Sequence, residues 1–129
     1  MKKLFSDGDT RVYRHQVEAA DLAAFPNGVV HAVCSTFALA RDMEWTSRLF
    51  VLEICDDDEE GIGTHLSIDH KSPAFPGEEI IFTARIESQH NHELLCTLEA
   101  SVGDRLIATG RTGQKILKRN KIGQLLKQP

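Results

Sequence analysis

The chain has 129 residues, of which 41% are apolar and 26% charged, with three cysteines and a formal net charge of -4. One domain spanning residues 1–129 is expected at this length, large enough to bury a core without disulfides or metal. The composition excludes collagen-like repeats, wholesale disorder and disulfide scaffolds, and the acidic balance argues against a nucleic-acid partner.

Met1 to Asp9 carries Lys2 and Lys3 with no apolar stretch behind them, so it does not read as a signal peptide. Arg11 to Val17, RVYRHQV, is rich in aromatic and β-branched residues and suits a strand. Phe25-Pro26-Asn27-Gly28 reads as a turn or lid loop. From Ser35 to Ile54 neither Gly nor Pro intervenes, and one long helix is predicted. Phe37, Ala40, Met43, Ser47 and Phe50 recur at steps of three and four. Ala38, Trp45, Leu49 and Leu52 add a second apolar stripe, which predicts a helix wrapped by other structure. Ser35 or Thr36 is placed to cap its N-terminus. Five consecutive acids, Asp56 to Glu60, end it and belong in water.

Beyond Gly61 the period falls to two. Thr64, Leu66, Ile68 and His70 share one strand face, and His65, Ser67 and Asp69 the other. Pro73, Pro76 and Gly77 mark a turn. Ile80, Phe82, Ala84 and Ile86 form the apolar face of the next strand, and Leu94, Cys96, Leu98, Ala100 and Val102 that of another. A last strand runs from Leu106 to about Leu117. This order predicts an α+β layer fold. One long helix lies in a curved antiparallel sheet of five to six strands, the hot-dog arrangement. A single helix cannot cover both sheet faces, so a homodimer is expected, with a tetramer as the next assembly.

No apolar run approaches the ~20 residues of a membrane span. Cys34, Cys55 and Cys96 are odd in number and include no CxxC pair, which reads as reduced thiols in a cytoplasmic protein. His90-Asn91-His92 has no Asp or Cys cluster beside it and reads as a solvated hairpin loop. The acidic run lacks the spacing of a calcium cage. Gly61-Ile62-Gly63 is too short for a dinucleotide fingerprint, and no helix follows it. No metal and no cofactor are expected.

Three other residues make a stronger set. Thr36 lies at the start of the predicted helix. Glu44 follows about two turns later and projects from nearly the same side. His70 ends the next strand. Glu44 sits between Met43 and Trp45, so its carboxylate is either desolvated with a raised pKa or satisfied by a partner. Plainer readings stand beside these: an N-cap for Thr36, an exposed helix-rim acid for Glu44, a hydrogen-bonded strand end for His70.

The stretch from Val33 to Gly77 resembles the fluoroacetyl-CoA thioesterase family of hot-dog proteins. The matching motifs are Ser35-Thr36, Met43-Glu44-Trp45, Gly63-Thr64, His70 and Pro76-Gly77. The resemblance implies a homodimer that binds acyl-CoA at the subunit interface and hydrolyses a small acyl thioester. It implies catalytic roles for Thr36, Glu44 and His70, a thioester-lining role for Gly63, and a nearby turn at Gly77. Phe37 stands where the family has a small residue or proline, which narrows the acyl pocket. Phe25 to Ala32 does not align with the family's aromatic lid, so a short acyl group is expected rather than fluoroacetyl in particular.

The chemistry fits these residue types. A histidine with an ordinary pKa of ~6.5 accepts a proton near neutrality. Free N–H groups at a helix start, or that of Gly63, suit a developing oxyanion. Glu44 serves either as general base or as nucleophile. Lys115, Lys118, Arg119, Lys121 and Lys127 form a basic C-terminal stretch suited to the phosphates of CoA. A hot-dog dehydratase is disfavoured, because Asp69 and His70 are adjacent and point to opposite faces. The alternative is a non-catalytic dimer that binds acyl-CoA or another small molecule.

Overall fold

The structure, a computed structural model, describes residues 1–128. In chain order the elements are β1 (Thr10–Gln16), a 3-10 turn (Ala19–Asp21), β2 (Leu22–Phe25), β3 (Gly28–Cys34), α1 (Thr36–Ile54), β4 (Glu59–His70), β5 (Glu79–His90), β6 (Glu93–Val102), β7 (Arg105–Lys118) and α2 (Arg119–Leu125). Five strands form one antiparallel sheet in the order β1-β5-β6-β7-β4. The long helix α1 packs across it and touches all five. This is the hot-dog arrangement expected from the pattern of elements.

Alternation builds the core. Ile80, Phe82, Ala84 and Ile86 on β5 are buried, as are Leu94, Cys96, Leu98 and Ala100 on β6. They meet Ala38, Leu39, Met43, Phe50, Val51 and Ile54 of α1. Apolar burial at roughly 25 cal/mol per Å² drives this contact. Ser35 starts the helix: its Oγ accepts the Ala38 N–H at 3.0 Å. Thr36, one residue on, is therefore free of the capping duty.

Three expectations change. The helix is buried along one side only, and Phe37, Trp45 and Leu52 remain exposed. The sheet supplies a single helix-bearing face, so apolar residues on the opposite flank find nothing in the same chain. The Phe25–Gly28 turn is present, but it joins β2 to β3 in a separate two-stranded hairpin rather than standing in a loop. The acidic run is not wholly solvated. Glu59 is buried, 2.6 Å from the Met1 ammonium, which also meets Asp56 at 2.8 Å. Asp58 pairs with Lys118 at 2.9 Å.

A charge cluster of two buried carboxylates and the exposed Arg41 ties the hairpin to the helix start. Asp21 is 3% exposed, and its Oδ2 lies 2.6 Å from His15 Nε2. Its Oδ1 accepts from Arg41 at 3.0 Å, and Arg41 also holds Asp42 in a two-pronged contact. The Glu18 N–H donates to the Asp21 carboxylate, and the Ser35 N–H donates to the Asp21 carbonyl at 2.7 Å. Burial pushes the Asp21 pKa up, but the bonds from Glu18, His15 and Arg41 outweigh it and hold the pKa below the usual aspartate value. A depressed carboxylate pKa stabilises the fold above the unfolded-state pKa, and the gain disappears as pH falls through the folded value. Asp21→Asn is therefore expected to be less stable than the parent at neutral pH, with the gap closing below about pH 4. Urea unfolding at stepped pH checks this, and a gap that stays constant into acid contradicts it.

Candidate active site

The structure brings the sequence-predicted residues together as two pairs along one flank of α1. Thr36 Oγ1 and His70 Nδ1 lie 3.0 Å apart, a hydrogen bond whose direction follows the imidazole tautomer. About 12 Å further along the helix axis, Glu44 rests on Gly63. A Cβ at Gly63 would stand 2.2 Å from Glu44 Oε1, so only glycine admits the carboxylate there. The close approach is general to this part of β4, since a Cβ at Gly61 would stand 2.4 Å from Val51 Cγ1.

Gly63 and His70 are an odd number of residues apart, and in a regular strand they would face opposite ways. The ladder to β7 shows how both reach the helix. Gly63 lies opposite Gln114 and His65 opposite Gly113, which leaves Thr64 as an extra residue in a β-bulge. Before the bulge Glu59 is buried, and Gly61 and Gly63 face α1. After it, Ile68 packs on the core and His70 meets Thr36. Asp69 points the other way, into a hollow of about 480 Å³ on the outer sheet face that it shares with Arg85, Glu99 and Arg111. The opposed directions expected for Asp69 and His70 are thus observed.

For Glu44 a desolvated or partnered carboxylate and an exposed helix-rim acid are both expected readings, and within the single chain the second is observed. Within one chain it is exposed and makes no side-chain hydrogen bond among the described residues. Phe37 is 71% exposed and meets the hairpin through Phe25, with ring centroids 6.2 Å apart. Gly77 builds the turn before β5 with a φ of +87°; its N–H donates to the Val17 carbonyl and its carbonyl accepts from Gln16. Of the basic C-terminal stretch, Lys118 is held by Asp58, while Arg119 meets the Asp57 carbonyl and Glu60. Lys115, Lys121 and Lys127 have no ion pair among the described residues.

Burial raises the pKa of Cys34 to about 11 and that of Cys96 to about 12, and it also raises that of Cys55. None of the three therefore offers a thiolate nucleophile at neutral pH. Among the described residues no three His, Cys, Asp or Glu side chains gather as a metal site. No described helix is long and apolar enough to cross a membrane.

Two features near the site escape the sequence reading. The Asp21–Arg41–Asp42 cluster fixes the entry to the helix, and only the parity of buried helix positions hints at Asp42. Gln114 is 2% exposed and donates to Ser47 Oγ at 3.0 Å. Its signal is a polar residue at an inward position of the last strand, between the buried Thr112 and Ile116.

One long helix across a five-stranded antiparallel sheet, with Thr36, Glu44 and His70 along its open flank, defines a hot-dog protein with a candidate active site. A sequence model of the fluoroacetyl-CoA-specific thioesterase family, FlK, matches residues 17–120, and the chain belongs to that family. Among solved structures it is similar to a hypothetical protein of Thermus thermophilus described as a thioesterase superfamily member. That match has 30% identity over 95% of this chain and 91% of the other, with a TM-score of 0.92. The fluoroacetyl-CoA thioesterase FlK superposes with a TM-score of 0.87 at 19% identity, over 97% and 98% of the two chains. A hot-dog-like protein from Thermanaerovibrio acidaminovorans gives 0.86 at 15% identity, over 98% and 97%. No curated protein sequence matches the chain.

The Gly63 contact yields a test of the geometry. Gly63 has no positive φ, and the atom that a Cβ would strike is the far end of a flexible side chain. Gly63→Ala is expected to leave stability unchanged or raise it by up to ~1 kcal/mol, while driving the Glu44 carboxylate off its seat. Denaturant unfolding and a crystal structure of the variant check both parts. A carboxylate that stays in place contradicts the reading.

Proposed function

We propose that this protein hydrolyses a small acyl-CoA thioester at a site completed by a second copy of the chain, using Thr36, Glu44 and His70. The observation that carries the reading is the Thr36–His70 contact. It joins a helix N-terminus to the end of a strand, on the flank where Glu44 also emerges. Membership of the fluoroacetyl-CoA-specific thioesterase family supports the substrate class. So do the complexes of the structurally similar FlK with acetyl-CoA and with fluoroacetate and CoA.

The dimer follows from what the single chain leaves open. Among the described residues β4 is a sheet edge, with β7 on one side and no strand on the other. An exposed edge of this length invites pairing. Beside it the bare flank of α1 presents Phe37, Trp45 and Leu52. Pairing there covers the flank and supplies the burial that Glu44 lacks. Light scattering at micromolar concentration is expected to give about twice the 14.4 kDa chain mass. A monomer that hydrolyses acyl-CoA at full rate would contradict the shared site.

Glu44 acts on the thioester carbonyl, either by taking a proton from the attacking water or by adding to the carbon itself. The N–H of Gly63, beside Glu44, or the free N–H groups in the first turn of α1 of the second copy receive the negative oxygen. The C–S bond then breaks, and the leaving thiolate takes its proton from a protonated His70, which Thr36 orients and which the second copy brings to the Glu44 site. Where Glu44 has added to the carbon, water then opens the anhydride, releasing the acid and the carboxylate. Gly63 lines the thioester, while Phe37 and the hairpin bound the acyl group.

Thiol release across a panel of short acyl-CoAs tests this. Glu44→Ala and His70→Ala are each expected to lower kcat by about 10²-fold or more, and Thr36→Ser to keep more activity than Thr36→Ala. Retained turnover in either of the first two sinks the assignment. Tight acyl-CoA binding by the parent without any thiol release would instead make the protein a binding dimer. Turnover in ¹⁸O water tests the nucleophilic role of Glu44: label in its carboxylate is expected only from an anhydride that water opens at the Glu44 carbon.

A further inference from the structure

Gln114 is among the largest fully buried side chains, yet it carries an amide in a core of aliphatic and aromatic groups. Burying an amide costs free energy unless its hydrogen bonds are made. Its neighbours show where those bonds lead. Gln114 lies directly across the ladder from Gly63, the residue on which the Glu44 carboxylate rests. Its Nε2 donates to Ser47 Oγ at 3.0 Å, and Ser47 Oγ donates to the Glu44 carbonyl at 2.9 Å. A short polar chain therefore runs from the sheet opposite Gly63 to the helix turn that bears Glu44.

We propose that Gln114, acting through Ser47, is the positioning residue that sets the height and rotation of α1 over Gly63 and so places the Glu44 carboxylate. This rests on the catalytic reading of Glu44 given above. Apolar contacts tolerate sliding, since they are non-directional, and the neighbouring polar tie, from Arg48 to the Gly61 carbonyl at 3.1 Å, runs through a long flexible side chain. A hydrogen bond of fixed length at the level of Gly63 does not. Glu44 has no other side-chain bond among the described residues to hold it, so its aim depends on the helix backbone beneath it. An offset of ~1 Å in a reacting group is enough to cost up to about 10²-fold in rate.

Gln114→Met keeps the volume and removes the donor. Ser47 Oγ still donates to the Glu44 carbonyl, so no buried donor is orphaned and the variant is expected to fold. Ser47→Ala/Gln114→Met removes both partners and serves as the second variant. In each, kcat is expected to fall about tenfold or more while KM for the best acyl-CoA of the panel stays within about twofold and the thermal midpoint holds or rises. Carboxyl ¹³C NMR, with the Glu44 signal assigned by its loss in Glu44→Ala, is expected to show a changed chemical shift. An unchanged Glu44 signal overturns the proposal, as does parental kcat in Gln114→Met where Glu44→Ala is inactive. If Glu44→Ala itself keeps full turnover, the catalytic reading fails instead, and the NMR result alone decides whether Gln114 positions Glu44.

Discussion

A strand delivers its side chains to alternate faces, and β4 must deliver both Gly63 and His70 to the same one. The extra residue at Thr64 resolves this conflict. It reverses the inward parity of the strand midway, so the half that begins at Glu59 and the half that ends at His70 both address α1. Without that reversal, either the seat of Glu44 or the contact with Thr36 would turn to the outer face. The two polar contacts on the helix flank are thus consequences of one irregularity in an otherwise regular ladder.

The helix is the other partner to this arrangement, and its two sides live in different solvents. One side is buried against alternating residues of β5, β6 and β7. The other holds Phe37, Glu44, Trp45 and Leu52 in the open. Polar fixings act where apolar packing is indifferent to position. The Asp21–Arg41–Asp42 cluster holds the helix start to the hairpin, and the Gln114–Ser47 bond holds its middle to the sheet. Rigid backing and an open front are what a site needs if a second copy and a substrate are to complete it.

Legibility in the sequence followed regularity. β5 and β6 repeat apolar residues at a period of two, from Ile80 to Ile86 and from Leu94 to Ala100, and their inward faces could be read directly. The β2–β3 hairpin has register shifts at Leu22/Ala23 and Ala23/Ala24 and mostly exposed residues, so it carries no such period. Apolar residues on both flanks of α1 concealed which side is buried, because Phe37, Trp45 and Leu52 on the exposed side are as apolar as the residues of the core side. The acidic run looked wholly solvated because its partners, the Met1 ammonium and Lys118, are remote in sequence.

By itself the sequence determined the order of the long helix and the five strands of the main sheet, and the inward faces of β5 and β6. Those properties depend on neighbours a few positions apart, and local periodicity and steric preference report them. Only the tertiary structure decided that Ser35 caps the helix and leaves Thr36 to meet His70, that Gly63 seats Glu44, and that Thr64 turns the strand over. Each of these depends on which backbone arrives opposite which side chain. That is settled when the sheet and helix close on one another, and no spacing along the chain encodes it.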